Sequence, residues 1–198
     1  MNRILKRAIL GVLAACLLSG TAAAALAFRE EVTEEALIAD LQRGGYVVYL
    51  RHAQRYKGPP DQLYPDSLPA AFADCSQQRN LTPYGIEQAT LLREQLRRAG
   101  IRVGLVLAHP ECRTRDTAML AFGRAKLDKG LFYPDFVRRQ LGTAPLPGTD
   151  TVLVGGENSL RQIIGLQIDP AEMAIFQPDG RGGSTLVGRL HLEDWFDD

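Results

Sequence analysis

The chain has 198 residues, with 23 basic and 23 acidic side chains, and its formal net charge at pH 7 is zero. Its basic residues form no continuous run and do not alternate with aromatic residues, so a nucleic-acid partner is not expected. The length is that of one domain with a sizeable hydrophobic core.

The N-terminus has the organisation of a secretory signal peptide. Arg3, Lys6 and Arg7 precede an apolar run over residues 8–18, and small residues follow up to Ala27. We therefore expect a signal peptide over residues 1–27, a single folded domain over residues 28–198, and a protein that reaches the periplasm.

Two alternatives for the N-terminus stay open. The apolar run is short for a membrane span, but an uncleaved anchor would keep the protein at the membrane. Residues 13–16 read Leu-Ala-Ala-Cys, which resembles a lipoprotein cleavage box and would place a lipid on Cys16. A membrane contact is expected only in these two cases.

The first predicted elements lead to an Arg-His pair. Thr33 is a suitable N-cap for a helix that Gly44 ends. The apolar run from Tyr46 to Leu50 then predicts a strand buried on both faces, and Arg51-His52 follows it directly. Because ligands bind at the carboxyl ends of parallel strands, this pair predicts a reactive imidazole beside an anion-binding cation. The alternative is a strand that merely exits into solvent through polar residues.

Residues 56–80 show no helical or strand periodicity and are rich in proline. We interpret this segment as the rim of a pocket, since a long irregular stretch inside a compact domain is usually functional or disordered. Thr82-Pro83 then predicts a helix start, and Gly100 ends that helix. A second buried strand, Val103 to Ala108, leads into His109 and Arg113.

The remaining elements continue the alternation of strands and helices. Helical patterns are predicted at 135–141 and 159–166, and strands at 151–154, 171–176 and 185–190, the last two as an antiparallel pair at an edge. This order predicts an α/β protein with a mostly parallel sheet that is covered on both faces by helices.

Three ordered motifs carry a resemblance to a known family. Arg51-His52-Ala53 resembles the RHG signature of the histidine phosphatase superfamily, the phosphoglycerate-mutase-like proteins. Residues 81–89 resemble its L-[ST]-x-x-G-x-x-Q-A helix start, and residues 107–118 resemble its S-P-x-x-R-x-x-x-T-A segment. The resemblance covers the chain from about Gly45 onward and implies a three-layer α/β/α sandwich of the phosphoglycerate-mutase-like type.

The resemblance also implies roles for individual residues. His52 would be the nucleophile that forms a phosphohistidine, and Arg51 and Arg113 would bind the phosphoryl oxygens. The general acid is left unassigned by the resemblance. Glu111, beside the second motif, is the first choice, and its alternative is a first-turn acidic residue that the helix dipole favours. Asp135 is a weaker candidate, and its alternative is a helix cap. Neither a cofactor nor a metal ion is needed for this chemistry, so none is expected.

The sequence departs from the family at one position. The third parallel strand should end in a second histidine, but Gly156 stands there, followed by Glu157. His109 and Glu157 are candidates to replace the missing group, and a helix-start residue without a catalytic role is the alternative for His109. His191 matches no motif and is expected to be structural.

Cys75 and Cys112 are the two cysteines beyond the signal segment, and neither has the neighbours of a metal site. In an oxidising compartment a Cys75–Cys112 disulfide is their simplest use, and two buried free thiols are the alternative.

The resulting hypothesis is hydrolysis of phosphomonoesters through His52, with activity that the loss of the second histidine weakens. The alternative is a catalytically impaired pseudoenzyme that binds phosphorylated ligands. The expected partner is a phosphorylated small molecule or a phosphorylated envelope component. A purely structural envelope protein is a third hypothesis, which requires Arg51, His52 and Arg113 to lie far apart.

Overall fold

A computed structural model describes residues 32–191. Its centre is a six-stranded sheet with the strand order β3-β2-β4-β1-β5-β6. The strands are β1 (Val47–Arg51), β2 (Val103–Ala108), β3 (Lys126–Leu127), β4 (Asp150–Gly155), β5 (Met173–Pro178) and β6 (Ser184–Leu190). The signal-peptide prediction for residues 1–27 and the lipidation site at Cys16 lie outside the described residues.

The helices are α1 (Glu34–Arg43), α2 (Pro69–Ala73), α3 (Pro83–Arg98), α4 (Cys112–Phe122), α5 (Pro134–Leu141) and α6 (Glu157–Ile164). Short 3₁₀ turns occupy Cys75–Gln77 and Lys129–Phe132. Within the described part of the chain, no helix is both long and apolar enough to span a bilayer.

Capping residues fix the helix starts where the sequence predicts them. The hydroxyl of Thr33 accepts a hydrogen bond from the backbone N–H of Ala36 at 3.3 Å, and the hydroxyl of Thr82 accepts one from Gly85 at 3.0 Å. Each bond satisfies a backbone donor that the helix itself leaves unpaired. The predicted starts of α1 and α3 are therefore confirmed.

The sheet is parallel from β3 to β1 and antiparallel at its other edge. β1 pairs in parallel with β4, and β4 with β2, whereas β5 is antiparallel to both β1 and β6. The predicted antiparallel edge pair is thus confirmed. Two hydrophobic clusters pack on the two sheet faces, one around Leu50, Leu92 and Ile175, the other around Tyr49 and Leu153. This is the predicted three-layer α/β/α arrangement.

The segment 56–80 differs in part from its prediction. It contains α2 and a 3₁₀ turn, although its sequence shows no periodicity. Phe72 of α2 is 4% exposed, so one apolar side chain docks this short helix. A five-residue helix has too few positions for a periodic pattern, and its stability comes from tertiary contacts.

Candidate active site

The register of the central strands brings the predicted site residues to one edge of the sheet. Arg51 is the register partner of Gly155 in the parallel pair of β1 and β4. The backbone N–H of His52 donates to the carbonyl of Gly155 at 2.9 Å, and that of His109 donates to Val154 at 3.0 Å. Three strands therefore deliver His52, His109 and the turn after Gly155 to neighbouring positions.

His52 is buried and its tautomer is set by the backbone. Its Nδ1 lies 2.8 Å from the carbonyl oxygen of Ala53, so Nδ1–H donates there and Nε2 carries the free lone pair. Ala53 is itself held because its N–H donates to the hydroxyl of Thr117 at 3.1 Å. The imidazole is thus oriented with one nitrogen available for attack.

The pKa of His52 is lowered to about 3. Burial is the largest cause, because it disfavours the charged imidazolium, and the positive charges of Arg113, Arg51 and Arg55 add to it. The hydrogen bond to Ala53 raises the pKa and is outweighed. His52 is therefore a neutral base at every physiological pH.

Three guanidinium groups surround this imidazole closely enough to act on its charge. Arg51 is the last residue of β1, Arg113 lies in the first turn of α4, and Arg55 forms an isolated bridge with Leu81. The charges of Arg51 and Arg113 both act on His52, which supports the predicted convergence and speaks against a purely structural protein. Arg55 was not among the predicted phosphate ligands. Its position three residues after His52 could have indicated a third cation near the imidazole.

Carboxylates pair with two of these guanidiniums. Arg51 Nη2 lies 3.3 Å from Glu157 Oε2. The Arg113 guanidinium forms ion pairs with Glu111 and with Asp61, and all three side chains are largely buried. Asp61 also lies 3.2 Å from Arg79 Nε, so it joins two arginines. The site is consequently an array of alternating charges, in which an incoming anion meets guanidiniums that already hold carboxylates.

Glu111 is placed beside Arg113, but its ionisation does not suit a proton donor. Burial raises the pKa of Glu111, while the hydrogen bond with His109 and the charge of Arg113 lower it, and the net pKa is about 2. A carboxylate that is ionised at neutral pH has no proton to give to a leaving group. The geometry favours a role for Glu111 in orienting Arg113.

His109 is held in a small aromatic cluster. Its ring centroid lies 3.8 Å from that of Phe132 in an edge-to-face arrangement, and its Nδ1 lies 3.2 Å from Glu111 Oε2. Its contacts thus lead to Arg113 through Glu111. Direct contact with a phosphoryl group stays a prediction.

Gly156 occupies the position that the resemblance gives to a second histidine. It is the N-cap of α6 in an extended conformation, and a Cβ built on it meets nothing within 4 Å. Gly155 is different, because a Cβ there would lie 2.2 Å from the hydroxyl oxygen of Tyr49. Space for a side chain therefore exists at 156 and not at 155.

The predicted Cys75–Cys112 disulfide is confirmed, with an S–S distance of 2.06 Å. It joins the 3₁₀ turn of the 56–80 segment to the first residue of α4, next to Arg113. The N–H of Cys112 also donates to Gln78 Oε1 at 2.8 Å. The long segment is thus fixed to the helix that carries Arg113.

Two residues outside the site make contacts of a structural kind: Asp135, the weaker candidate for the general acid, and His191, which is expected to be structural. Asp135 lies in the first turn of α5 and forms a 2.8 Å ion pair with Arg138. His191 Nε2 lies 3.4 Å from Glu172 Oε1, and that buried carboxylate also pairs with Arg189. Asp169, Glu172 and His191 have ligand atoms within 4.8 Å of one another, but Arg189 supplies the positive charge at this cluster.

No protein-family model matches the chain, and no curated protein matches it in sequence. Solved structures do match it in fold. A protein histidine phosphatase SixA complexed with tungstate has a TM-score of 0.53 at 12% identity, covering 75% of this chain and 98% of its own.

Two other similar structures come from animals and protists. A phosphoserine phosphatase from Entamoeba histolytica, in complex with 3-phosphoglyceric acid, has a TM-score of 0.51 at 13% identity, covering 74% of this chain and 96% of its own. The ecdysone phosphate phosphatase from Bombix mori, in complex with tungstate, has a TM-score of 0.50 at 16% identity, covering 73% and 92%. The chain therefore shares the fold of these phosphatases, as the three motifs predict.

Proposed function

We propose that this protein hydrolyses phosphomonoesters, with His52 as the nucleophile. The observation that carries the proposal is a buried neutral imidazole with Nε2 free, close to the guanidiniums of Arg51, Arg55 and Arg113. A neutral nitrogen attacks phosphorus, and guanidiniums bind tetrahedral oxyanions with paired N–H groups. The resemblance in motifs and the shared fold agree with this chemistry.

The reaction divides into two displacements. His52 Nε2 forms a bond to phosphorus while the ester oxygen leaves with the electron pair of the broken P–O bond. Water then attacks the phosphohistidine, which releases inorganic phosphate and restores the neutral imidazole. Arg51, Arg55 and Arg113 hold the three outer oxygens in both steps, so positioning and charge stabilisation supply most of the acceleration.

An aryl phosphate is the appropriate first substrate, since a phenolate leaves without a proton donor. We expect the wild type to release phosphate from p-nitrophenyl phosphate and His52→Ala to lose this activity. His191→Gln is the matched control, because it changes a histidine outside the site. Rapid quenching should trap an acid-labile, base-stable phosphoenzyme in the wild type. Equal turnover by the wild type and His52→Ala would refute the proposal.

Metal independence and location belong to the same proposal. Turnover is expected to survive EDTA, because guanidiniums supply the positive charge that a metal ion would otherwise provide. We propose a periplasmic protein acting on a phosphorylated small molecule or envelope component. N-terminal sequencing of the protein recovered from osmotic-shock fluid should then begin after residue 27.

A ligand-binding pseudoenzyme is the second candidate. It is favoured by Gly156, which offers no donor where the resemblance expects a histidine, and by the carboxylates that already occupy Arg51 and Arg113. Under this alternative, tungstate or phosphate binds in the micromolar to millimolar range and no ester is turned over. Calorimetric titration beside the p-nitrophenyl phosphate assay separates the two candidates.

A further inference from the structure

A large cavity lies beside the proposed phosphate site, in the segment 56–80. Its volume is about 740 Å³, within the size range of small-ligand pockets. Asp61 and Arg79 line it, and Asp61 also pairs with the buried Arg113. The cavity and the phosphate site therefore share a wall.

The walls of this cavity are fixed by bonds that are distributed along the segment. The disulfide holds Cys75 to α4, and the N–H of Tyr56 donates to Asn80 at 2.9 Å. The N–H of Arg79 donates to Asp61 Oδ1 at 2.9 Å, which ties the two sides of the segment together. A pocket braced in this way is formed before a ligand arrives, so binding costs little ordering.

The lining is polar but electrically balanced. Lys57 and Arg79 contribute two positive charges, and Asp61 and Asp74 contribute two negative ones. Asp74 is engaged by Ser76, whose hydroxyl donates to Oδ1 at 2.6 Å, and Asp61 is engaged by the two arginines. A strongly anionic leaving group therefore gains little electrostatic attraction in this cavity. An uncharged leaving group loses little binding energy by lacking a charge.

The uncharged part of the lining combines flat apolar surfaces with amides. Tyr56, Pro59 and Pro60 offer ring faces, whereas Gln62 and Gln77 offer both donors and acceptors. Tyr56 is 54% exposed, so its ring is available for stacking. Ring faces beside side-chain amides suit a ligand that has an apolar ring face and hydroxyl groups at its edge.

Resting on the proposed phosphatase function, we infer that the cavity is the leaving-group subsite and that the substrate is the phosphomonoester of an uncharged, hydroxylated ring. The phosphoryl group lies among Arg51, Arg55 and Arg113, and the ring lies against Tyr56. A sugar phosphate and a nucleoside monophosphate both have this chemistry. Their relative affinities identify which of the two classes of compound the cavity binds.

Binding to the His52→Ala protein tests the subsite without turnover. Calorimetric titration would use inorganic phosphate, phosphoserine, glucose 6-phosphate and adenosine 5′-monophosphate. We expect at least one of the two ring compounds to bind about tenfold more tightly than phosphate and phosphoserine. Adding Tyr56→Ala should lower the ratio of ring-compound affinity to phosphate affinity by about 3- to 10-fold, as expected for one lost aromatic contact.

Tyr133→Ala is the matched control, since Tyr133 is a tyrosine as exposed as Tyr56, at 54%, and does not line the cavity. It should leave the preference unchanged. Equal affinity for all four compounds, or tighter binding of phosphoserine than of either ring compound, would overturn the inference. A wild-type protein that hydrolyses none of the esters, while His52→Ala keeps the ring preference, refutes the phosphatase function and leaves the subsite standing.

Discussion

The carboxylate of Asp61 forms an ion pair with the guanidinium of Arg113, across 52 residues of sequence and with both side chains buried. The pair joins the irregular segment to the first turn of α4. It also places the Asp61 carboxylate against the Arg113 guanidinium, which in the proposed reaction binds a phosphoryl oxygen. Asp61 is therefore both a structural brace and a competitor of the substrate anion.

Asp61→Asn should separate these two effects. The variant loses the buried charge pair with Arg113 and Arg79, so we expect a loss of about 1–3 kcal/mol in the free energy of unfolding. Inorganic phosphate should bind more tightly, because it no longer competes with a carboxylate for Arg113. Thermal denaturation with and without phosphate measures both changes, and weaker phosphate binding would contradict the prediction.

Gly156→His should raise the turnover of p-nitrophenyl phosphate. The position has an extended backbone that any residue adopts, and open space for a side chain. One added donor to the transition state is worth about 10²–10³ in kcat, and an imperfect fit would lower that gain. Gly156→Ala is the control for the backbone change. Equal kcat values for the two variants would show that a side chain at position 156 does not reach the phosphate site.

Reduction of the Cys75–Cys112 disulfide should destabilise the fold and weaken phosphate binding together. The bond closes a loop with a sequence separation of 37, for which chain entropy predicts about 3–4 kcal/mol. Cys112 precedes Arg113, so release of the segment also frees a side chain that we propose binds phosphate. Denaturation and phosphate titration with and without dithiothreitol measure both effects. The Cys75→Ser/Cys112→Ser double variant should not respond to dithiothreitol.

Asp150 gives the fold a pH dependence of predictable sign. Burial raises the pKa of this carboxyl to about 6, although the N–H of Tyr46 donates to its Oδ1 at 2.9 Å. Between an unfolded pKa near 3.8 and the folded value, the native state binds more protons than the unfolded state. This contribution to stability is therefore complete below about pH 3.8 and is lost as the pH rises through 6.

Asp150→Asn should remove that contribution while keeping an acceptor for Tyr46. Relative to the wild type, the variant should gain about 1–3 kcal/mol of stability on going from pH 4 to pH 8. Urea denaturation across this pH range provides the measurement. Asp135→Asn serves as the exposed control, and parallel pH profiles for Asp150→Asn and the wild type would contradict the assignment.

The parts of the site that were predictable share a physical basis. The local sequence pattern locates three of the residues. Arg51 and His52 stand at the end of one apolar run, and Arg113 lies in the first helical turn after another. The Cys75–Cys112 pairing was predictable because only two cysteines lie outside the predicted signal segment.

Other parts depend on contacts that the sequence pattern does not encode. The pairing of Asp61 with Arg113 and Arg79 arises only when a proline-rich segment folds back over α4. The lowered pKa of Glu111 depends on His109 and Arg113 meeting it in a buried space. Its role as a proton donor stays a prediction, which this pKa disfavours. The helix α2 is stabilised by one docked phenylalanine rather than by periodicity.

The parallel pairing of Arg51 with Gly155 has a consequence for biosynthesis. These residues are 104 positions apart, yet the backbone N–H of His52 is bonded to the later one. During synthesis, β1 can be complete long before its neighbour β4 leaves the ribosome. The nascent chain therefore carries an exposed strand edge and an unformed site for most of its elongation, a state in which parallel sheets are slow to close and prone to aggregate.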